Sequence, residues 1–197
     1  MIYICGDSFC VSDAAYLEII PWHEQLPKHK NLARKCASNY LISQQIEQAI
    51  NECASYIIVT FTSSLRSELH YNGELIPFSW LSLDSTTPFD QEQLNLLKQQ
   101  YLHIDLDTEI RKNRLIIEAS LQRLVDSKIS FIFDQGGFEH PSYGGVGKYF
   151  IKFEQYRSQY NLWDYSTTRS HRPYFHIQDQ QIHNKIAEYY NEQIIKA

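Results

Sequence analysis

The stretch Met1-Ile2-Tyr3-Ile4-Cys5-Gly6-Asp7-Ser8-Phe9 decides the fold. Residues 2–5 are a short apolar run rich in β-branched and aromatic side chains, and Gly6 ends it. That pattern reads as a buried strand followed by a sharp turn. A hydroxyl two residues beyond the glycine then stands at the carboxyl end of the strand. Working outward, residues 56–61 (Tyr-Ile-Ile-Val-Thr-Phe) and 129–133 (Ile-Ser-Phe-Ile-Phe) predict two more strands. Helical spacing of apolar residues predicts helices over 39–53 (with Asn39 as a candidate cap), 106–126 and 180–195. Strands alternating with helices imply an α/β fold, a parallel sheet covered on both faces with its site at the strands' carboxyl ends.

A length of 197 residues suits one domain, 1–197. Two stretches interrupt the alternation and read as loop insertions. Residues 70–90 are rich in Pro, Ser, Thr and aromatics; residues 134–148 are Gly-rich and follow a strand. Within the second, Gly-Gly-Val-Gly-Lys at 144–148 is not a phosphate loop, because Ser142 and Tyr149 stand where that motif needs Gly and Ser or Thr.

Apolar residues make up 43% of the chain and charged residues 21%, the balance of a globular protein. Net charge is −5 and no Lys/Arg stripe is present, which argues against nucleic acid as a partner. No apolar run is long enough to span a membrane and no signal-peptide pattern precedes the first strand, so a cytoplasmic location is expected, with secretion or virion association as the alternatives. The 14 Tyr and 10 Phe are read first as packing and second as a groove for sugar rings. Cys5, Cys10, Cys36 and Cys53 lack metal-ligand spacing; Cys5 and Cys53 are expected to be buried thiols. His176, Asp179 and His183 do not form a known metal pattern either. No cofactor is expected.

Gly6-Asp7-Ser8 directly after the first strand resembles the first block of the SGNH/GDSL hydrolases. Residues 31–39, Asn-Leu-Ala-Arg-Lys-Cys-Ala-Ser-Asn, resemble the Asn-Leu-Ala-x-x-Gly-Ala-Ser-Asn form of that family's second block, with Cys36 in place of the glycine. The third block, Gly-x-Asn-Asp, is replaced by Thr60-Phe61-Thr62-Ser63 and then Ser64-Leu65-Arg66-Ser67-Glu68, a Thr-Ser-x-x-Arg pattern with Thr62 at the Asn position. The last block, Asp-x-x-His, is met by His176, but Pro173 stands where the Asp would be.

The resemblance implies a flavodoxin-like three-layer α/β/α sandwich with a mostly parallel five-stranded sheet. It also implies a serine esterase in which an exposed Ser8 is the nucleophile and His176 the base. His176 is preferred to His183, because a base belongs in a loop mouth rather than on a helix face. Asp164 is the first choice to orient the imidazole, with Asp134 or a Ser–His dyad as alternatives. The oxyanion would be held by the backbone N–H groups of Ser8 and Cys36 and by the Thr62 hydroxyl, unless Thr62 only caps a turn. Arg66 would bind an anionic substrate group or else pair with Glu68. The implied substrate is a small-molecule or carbohydrate ester, such as an O-acetylated glycan. The competing expectation is a binding or structural module that keeps the fold without efficient catalysis.

Overall fold

The computed structural model describes residues 1–12, 18–71, 73–79, 89–136, 146–165, 177 and 179–197. Its centre is a parallel sheet in the order β2-β1-β3-β6, built from β1 (Ile2–Cys5), β2 (His29–Asn31), β3 (Tyr56–Thr60) and β6 (Ser130–Asp134). Tyr3 pairs with Ile57 in β3, and Ile57 with Phe131 in β6. Side chains alternate across this sheet. Tyr3, Cys5, Ile57, Val59, Phe131 and Phe133 face α1 (Asn39–Asn51) and α3 (Leu106–Ser127). Ile2, Ile4, Tyr56, Ile58 and Ile132 face Trp22 in the short 3-10 turn Trp22–Gln25, and Ile186 and Tyr190 in α4 (Gln180–Lys196). Both faces are therefore covered, and continuous apolar strands are what such a sheet requires. Full burial of a side chain such as Ile57 or Ile58 contributes about 1.5–3 kcal/mol.

Four parallel strands are present among the described residues, where five were expected. Beside β6 the chain makes one parallel bridge, Phe133 with Arg157, and the Ser158 N–H donates to the Phe133 carbonyl at 2.7 Å.

The stretch read as a loop over 70–90 is in part a hairpin. β4 (Arg66–Tyr71) and β5 (Glu74–Ser79) pair antiparallel, with Gly73 at φ +83° between them. Leu69, Ile76 and Phe78 give this ribbon an apolar face. It packs against Phe89 and against Leu94 and Leu97 of α2 (Gln91–Tyr101), a small core separate from the main sheet. Pro77 is tolerated because a two-stranded ribbon consists only of edges.

Two local expectations are corrected. The N-cap of α1 is Ser38, whose Oγ accepts the Leu41 N–H at 3.2 Å; Asn39 is the first helical residue, and its side chain is used elsewhere. Cys53 lies just beyond α1 at φ +56° and is exposed, because the helix ends before it could turn inward. Among the described residues, no helix is long and apolar enough to cross a membrane.

Candidate active site

Because the four strands are parallel, their carboxyl ends lie along one edge. Ser8 follows β1, Cys36 follows β2, Thr62 follows β3 and Asp134 closes β6. The chain leaves β1 for β2 on one side and returns to β3 on the other, so Ser8 and Thr62 flank the point where strand order reverses. Crevices for ligands form there in open α/β sheets.

Gly6 makes the turn after β1. A Cβ at this position would stand 2.8 Å from the Cys10 Sγ and 3.3 Å from the Thr60 carbonyl oxygen, so the close approach to β3 requires glycine. Gln45 of α1 fixes the turn: the Gly6 N–H donates to its Oε1 at 2.7 Å, and its Nε2 donates to the Gly6 carbonyl at 3.3 Å. Asp7 then caps the 3-10 turn Ser8–Cys10, its Oδ1 accepting the Phe9 N–H at 3.0 Å.

The other carboxylate oxygen of Asp7 organises the site. The Thr62 Oγ1 donates to Oδ2 at 2.7 Å, and the Arg66 Nη2 stands 3.4 Å from the same oxygen. Arg66 Nη2 is also 3.5 Å from Ser8 Oγ. Side-chain exposure is 3% at Asp7 and 9% at Arg66, so this ion pair is shielded from water. Arg66 thus pairs with Asp7. Among the described residues, the Nη1 of Arg66 and the Oε2 of Glu68 are buried without a hydrogen-bond partner. Burial raises the Glu68 carboxyl above its ordinary pKa, against a hydrogen bond from Ser38 and the nearby His70.

Ser8 was expected to be open; its exposure is 7%, in a corner that the Arg66 guanidinium reaches. The Thr62 hydroxyl has a single proton, and the short bond to Asp7 uses it. That proton is therefore not directed at an oxyanion, and the donor role expected of Thr62 is not supplied by its side chain in this arrangement.

Cys36 has φ +61°, in the left-handed region where glycine is the unstrained residue. The turn closes through the Ala37 N–H, which donates to the Arg34 carbonyl at 3.1 Å. The backbone kept here is thus a glycine backbone carried by a cysteine.

The histidines separate. His176 lies outside the described residues. His183 is buried, its Nδ1 accepting the Trp22 N–H at 3.1 Å and its Nε2–H donating to the Ile177 carbonyl at 3.1 Å. Burial lowers its pKa, and both ring nitrogens are occupied by backbone. Asp134 is buried, with Oδ1 accepting the Gly136 N–H at 3.0 Å and Oδ2 the Leu162 N–H at 2.9 Å. It ties the turn Leu162–Tyr165, which carries Asp164, to the end of β6; the Asp164 side chain is exposed. Gly136, at φ +47°, lets the loop after β6 touch the loop after β3, since a Cβ there would stand 2.4 Å from the Phe61 carbonyl oxygen. Among the described residues, no group of three His, Cys, Asp or Glu is placed to hold a metal ion.

Sequence reasoning missed Asp7 as the organising carboxylate, and Asn39, Gln45 and Asn113 as its supports. The detectable signal was polarity on the inward faces of amphipathic helices: Asn39 and Gln45 are buried polar residues on α1, and Asn113 is one on α3, where it meets Asn39. No protein-family model matches this chain, and no curated protein matches it in sequence.

Proposed function

We propose that this chain is a serine esterase of the SGNH type, with Ser8 as nucleophile. The observation that carries the reading is Cys36. The resemblance aligns it with a glycine, and its backbone at φ +61° is one that glycine suits and cysteine rarely adopts. A turn kept in that conformation despite its side chain is consistent with a backbone N–H held in position for a purpose. The strand order β2-β1-β3-β6 with one further bridge at Arg157 fits a flavodoxin-like sheet whose fifth strand is reduced to a single pairing.

In this mechanism the Ser8 Oγ–H proton passes to His176 as Oγ bonds to the ester carbonyl carbon. The carbonyl π pair becomes an oxyanion facing the Ser8 and Cys36 N–H groups. The tetrahedral intermediate collapses, the alcohol leaves with the proton from the imidazolium, and water repeats the sequence to free the acid. The substrate class would be a small-molecule or carbohydrate ester. Asp164, exposed and in a turn anchored by Asp134, stays a candidate for orienting His176.

One observation favours the second reading, a binding module on the same fold: Ser8 is only 7% exposed beside a buried ion pair. A fluorophosphonate probe separates the two. Labelling of the wild type but not of Ser8→Ala supports the esterase. Equal labelling of both, or none of either, supports the module.

A further inference from the structure

We infer that the Arg66 guanidinium supplies the oxyanion donor that the Thr-Ser-x-x-Arg block lacks in its threonine. This rests on Ser8 being the nucleophile. Three observations converge. The Thr62 hydroxyl proton is given to Asp7, so the residue at the Asn position has no side-chain proton left to donate. Arg66 Nη2 lies 3.5 Å from Ser8 Oγ, the charged group that reaches it among the described residues. The Arg66 side chain is only 9% exposed, and its Nη1 has no partner among the described residues. A buried, unpaired N–H donor is costly and calls for an explanation; here an acceptor that exists only during reaction provides one.

The placement is sterically suitable. An oxyanion donor stands about 2.7–3.1 Å from the developing oxygen. That oxygen shares its carbon with Ser8 Oγ once the bond forms, so a guanidinium already beside Oγ reaches it by a side-chain adjustment. As Oγ bonds to the carbonyl carbon and its proton goes to His176, the carbonyl π pair moves onto oxygen. Arg66 meets that charge with N–H donors and keeps its own protons throughout. Asp7 holds the fork in place through Nη2 and neutralises its net charge in the resting site. The alternative role, capture of a substrate's permanent anionic group, is separated from this one by the kcat and KM split below.

The test is steady-state hydrolysis of p-nitrophenyl acetate, a neutral ester, by wild type, Ser8→Ala, Arg66→Ala and Arg66→Gln. The expected result is a kcat lower by on the order of 10²-fold in both Arg66 variants with KM changed by less than about threefold. Added guanidinium ion should restore part of the Arg66→Ala rate, and inactivation by a fluorophosphonate, whose phosphoryl oxygen occupies the same position, should slow in parallel. If Arg66→Ala loses its cooperative melt, Arg66→Gln carries the measurement alone. An active wild type, a dead Ser8→Ala and folded Arg66 variants with wild-type kcat would overturn this inference and leave the esterase reading intact. Loss expressed only as raised KM, with kcat unchanged, would also overturn it, in favour of a binding role for Arg66. A wild type inert to both ester and probe would overturn the esterase reading and this inference together.

Discussion

The Asn39 side chain and the Thr62 backbone form a two-way clamp: Oδ1 accepts the Thr62 N–H at 2.8 Å, and Nδ2 donates to the Thr62 carbonyl at 2.9 Å. The same Nδ2 donates to Asn113 Oδ1 at 2.7 Å, so α1, the end of β3 and α3 meet at one buried amide. Thr62 is thereby fixed for its bond to Asp7, and Asp7 for its pairing with Arg66. Gln45 grips Gly6 in the same manner, 39 residues away in sequence. Two side-chain amides of one helix hold both loops that flank the reversal point.

Removing the clamp should be expensive. Asn39→Ala leaves the Thr62 N–H and carbonyl buried without their partner, and each such group costs about 1–3 kcal/mol. The expected result is a loss of about 2–4 kcal/mol in urea unfolding. Asn39→Leu, similar in volume, should be no better, since shape does not replace the bonds. A variant within about 0.5 kcal/mol of wild type would show that the loop holds its place without Asn39.

Among the described residues, the partner of Ser8 Oγ is Arg66 Nη2, at the long distance of 3.5 Å. Ser8→Ala should therefore change stability by less than about 1 kcal/mol while abolishing ester hydrolysis and probe labelling. A melting temperature shifted by many degrees would assign Ser8 a structural role.

At Cys36 the left-handed backbone costs a non-glycine residue roughly 1–2 kcal/mol. Cys36→Gly relieves that strain but adds backbone entropy to the unfolded chain, worth about 0.5–1 kcal/mol. The variant should be as stable as wild type or slightly more so, and at least as active. Cys36→Val puts a β-branched residue at φ +61° and should cost more than 1 kcal/mol, on the scale of about 1–3 kcal/mol for such outliers. Thermal melts of the two variants, compared directly, check the ordering.

Much of the α/β frame was legible because its signal is local. The apolar runs at residues 2–5 and 129–133 and the spacing in α3 and α4 each carry their own pattern. β2 was not legible: His29-Lys30-Asn31 has no apolar pattern, and it is a strand because the edge of β1 offers hydrogen bonds to it. The hairpin was hidden for a similar reason. Its apolar face is shared with Phe89 and α2, so Leu69, Ile76 and Phe78 make sense only once that partner is known. Of the candidate site, the placement of Ser8 and Cys36 after strands of the parallel sheet is what order along the chain could give. The commitment of Thr62 to Asp7 was not legible, because it joins residues 55 apart through one proton.

Acid should weaken the fold through buried histidine. His23 is buried beside Trp22, and its Nε2 has no partner among the described residues. Burial pushes its pKa down to about 4, against the pull of Glu24 and with the push of His29 and His183. Burial lowers His183 as well. A histidine whose folded pKa is depressed binds fewer protons than the unfolded chain below its ordinary value of about 6.5. Its stabilising contribution is therefore fully present above about pH 6.5, declines as pH falls and is gone near pH 4. His23→Phe keeps a ring against Trp22 and removes the titration. Between pH 7.5 and pH 4.5 the wild type should lose more melting temperature than this variant, by several degrees at about 2–4 °C per kcal/mol. Parallel curves would remove His23 from the acid response.

The assignment of the base is decided by two histidines seven residues apart in sequence, whose replacement should fail in different ways. His183 has no free nitrogen: Nδ1 accepts from the Trp22 backbone and Nε2 donates to the Ile177 carbonyl. A general base needs an unprotonated nitrogen facing the nucleophile, and the tautomer fixed by these bonds points both nitrogens at backbone. His183→Ala should thus act on stability, by exposing two unpaired backbone groups, and cost about 2–4 kcal/mol. Its folded fraction at low temperature should keep most of the kcat. His176→Ala should do the opposite. The melting temperature should hardly move, while kcat should fall as far as in Ser8→Ala, because members of one catalytic unit do not contribute additively. The double variant Ser8→Ala/His176→Ala should then be no slower than either single one. Measured on the same ester, a His183→Ala protein that is folded but inert, or a His176→Ala protein of undiminished kcat, would move the base away from the loop before α4.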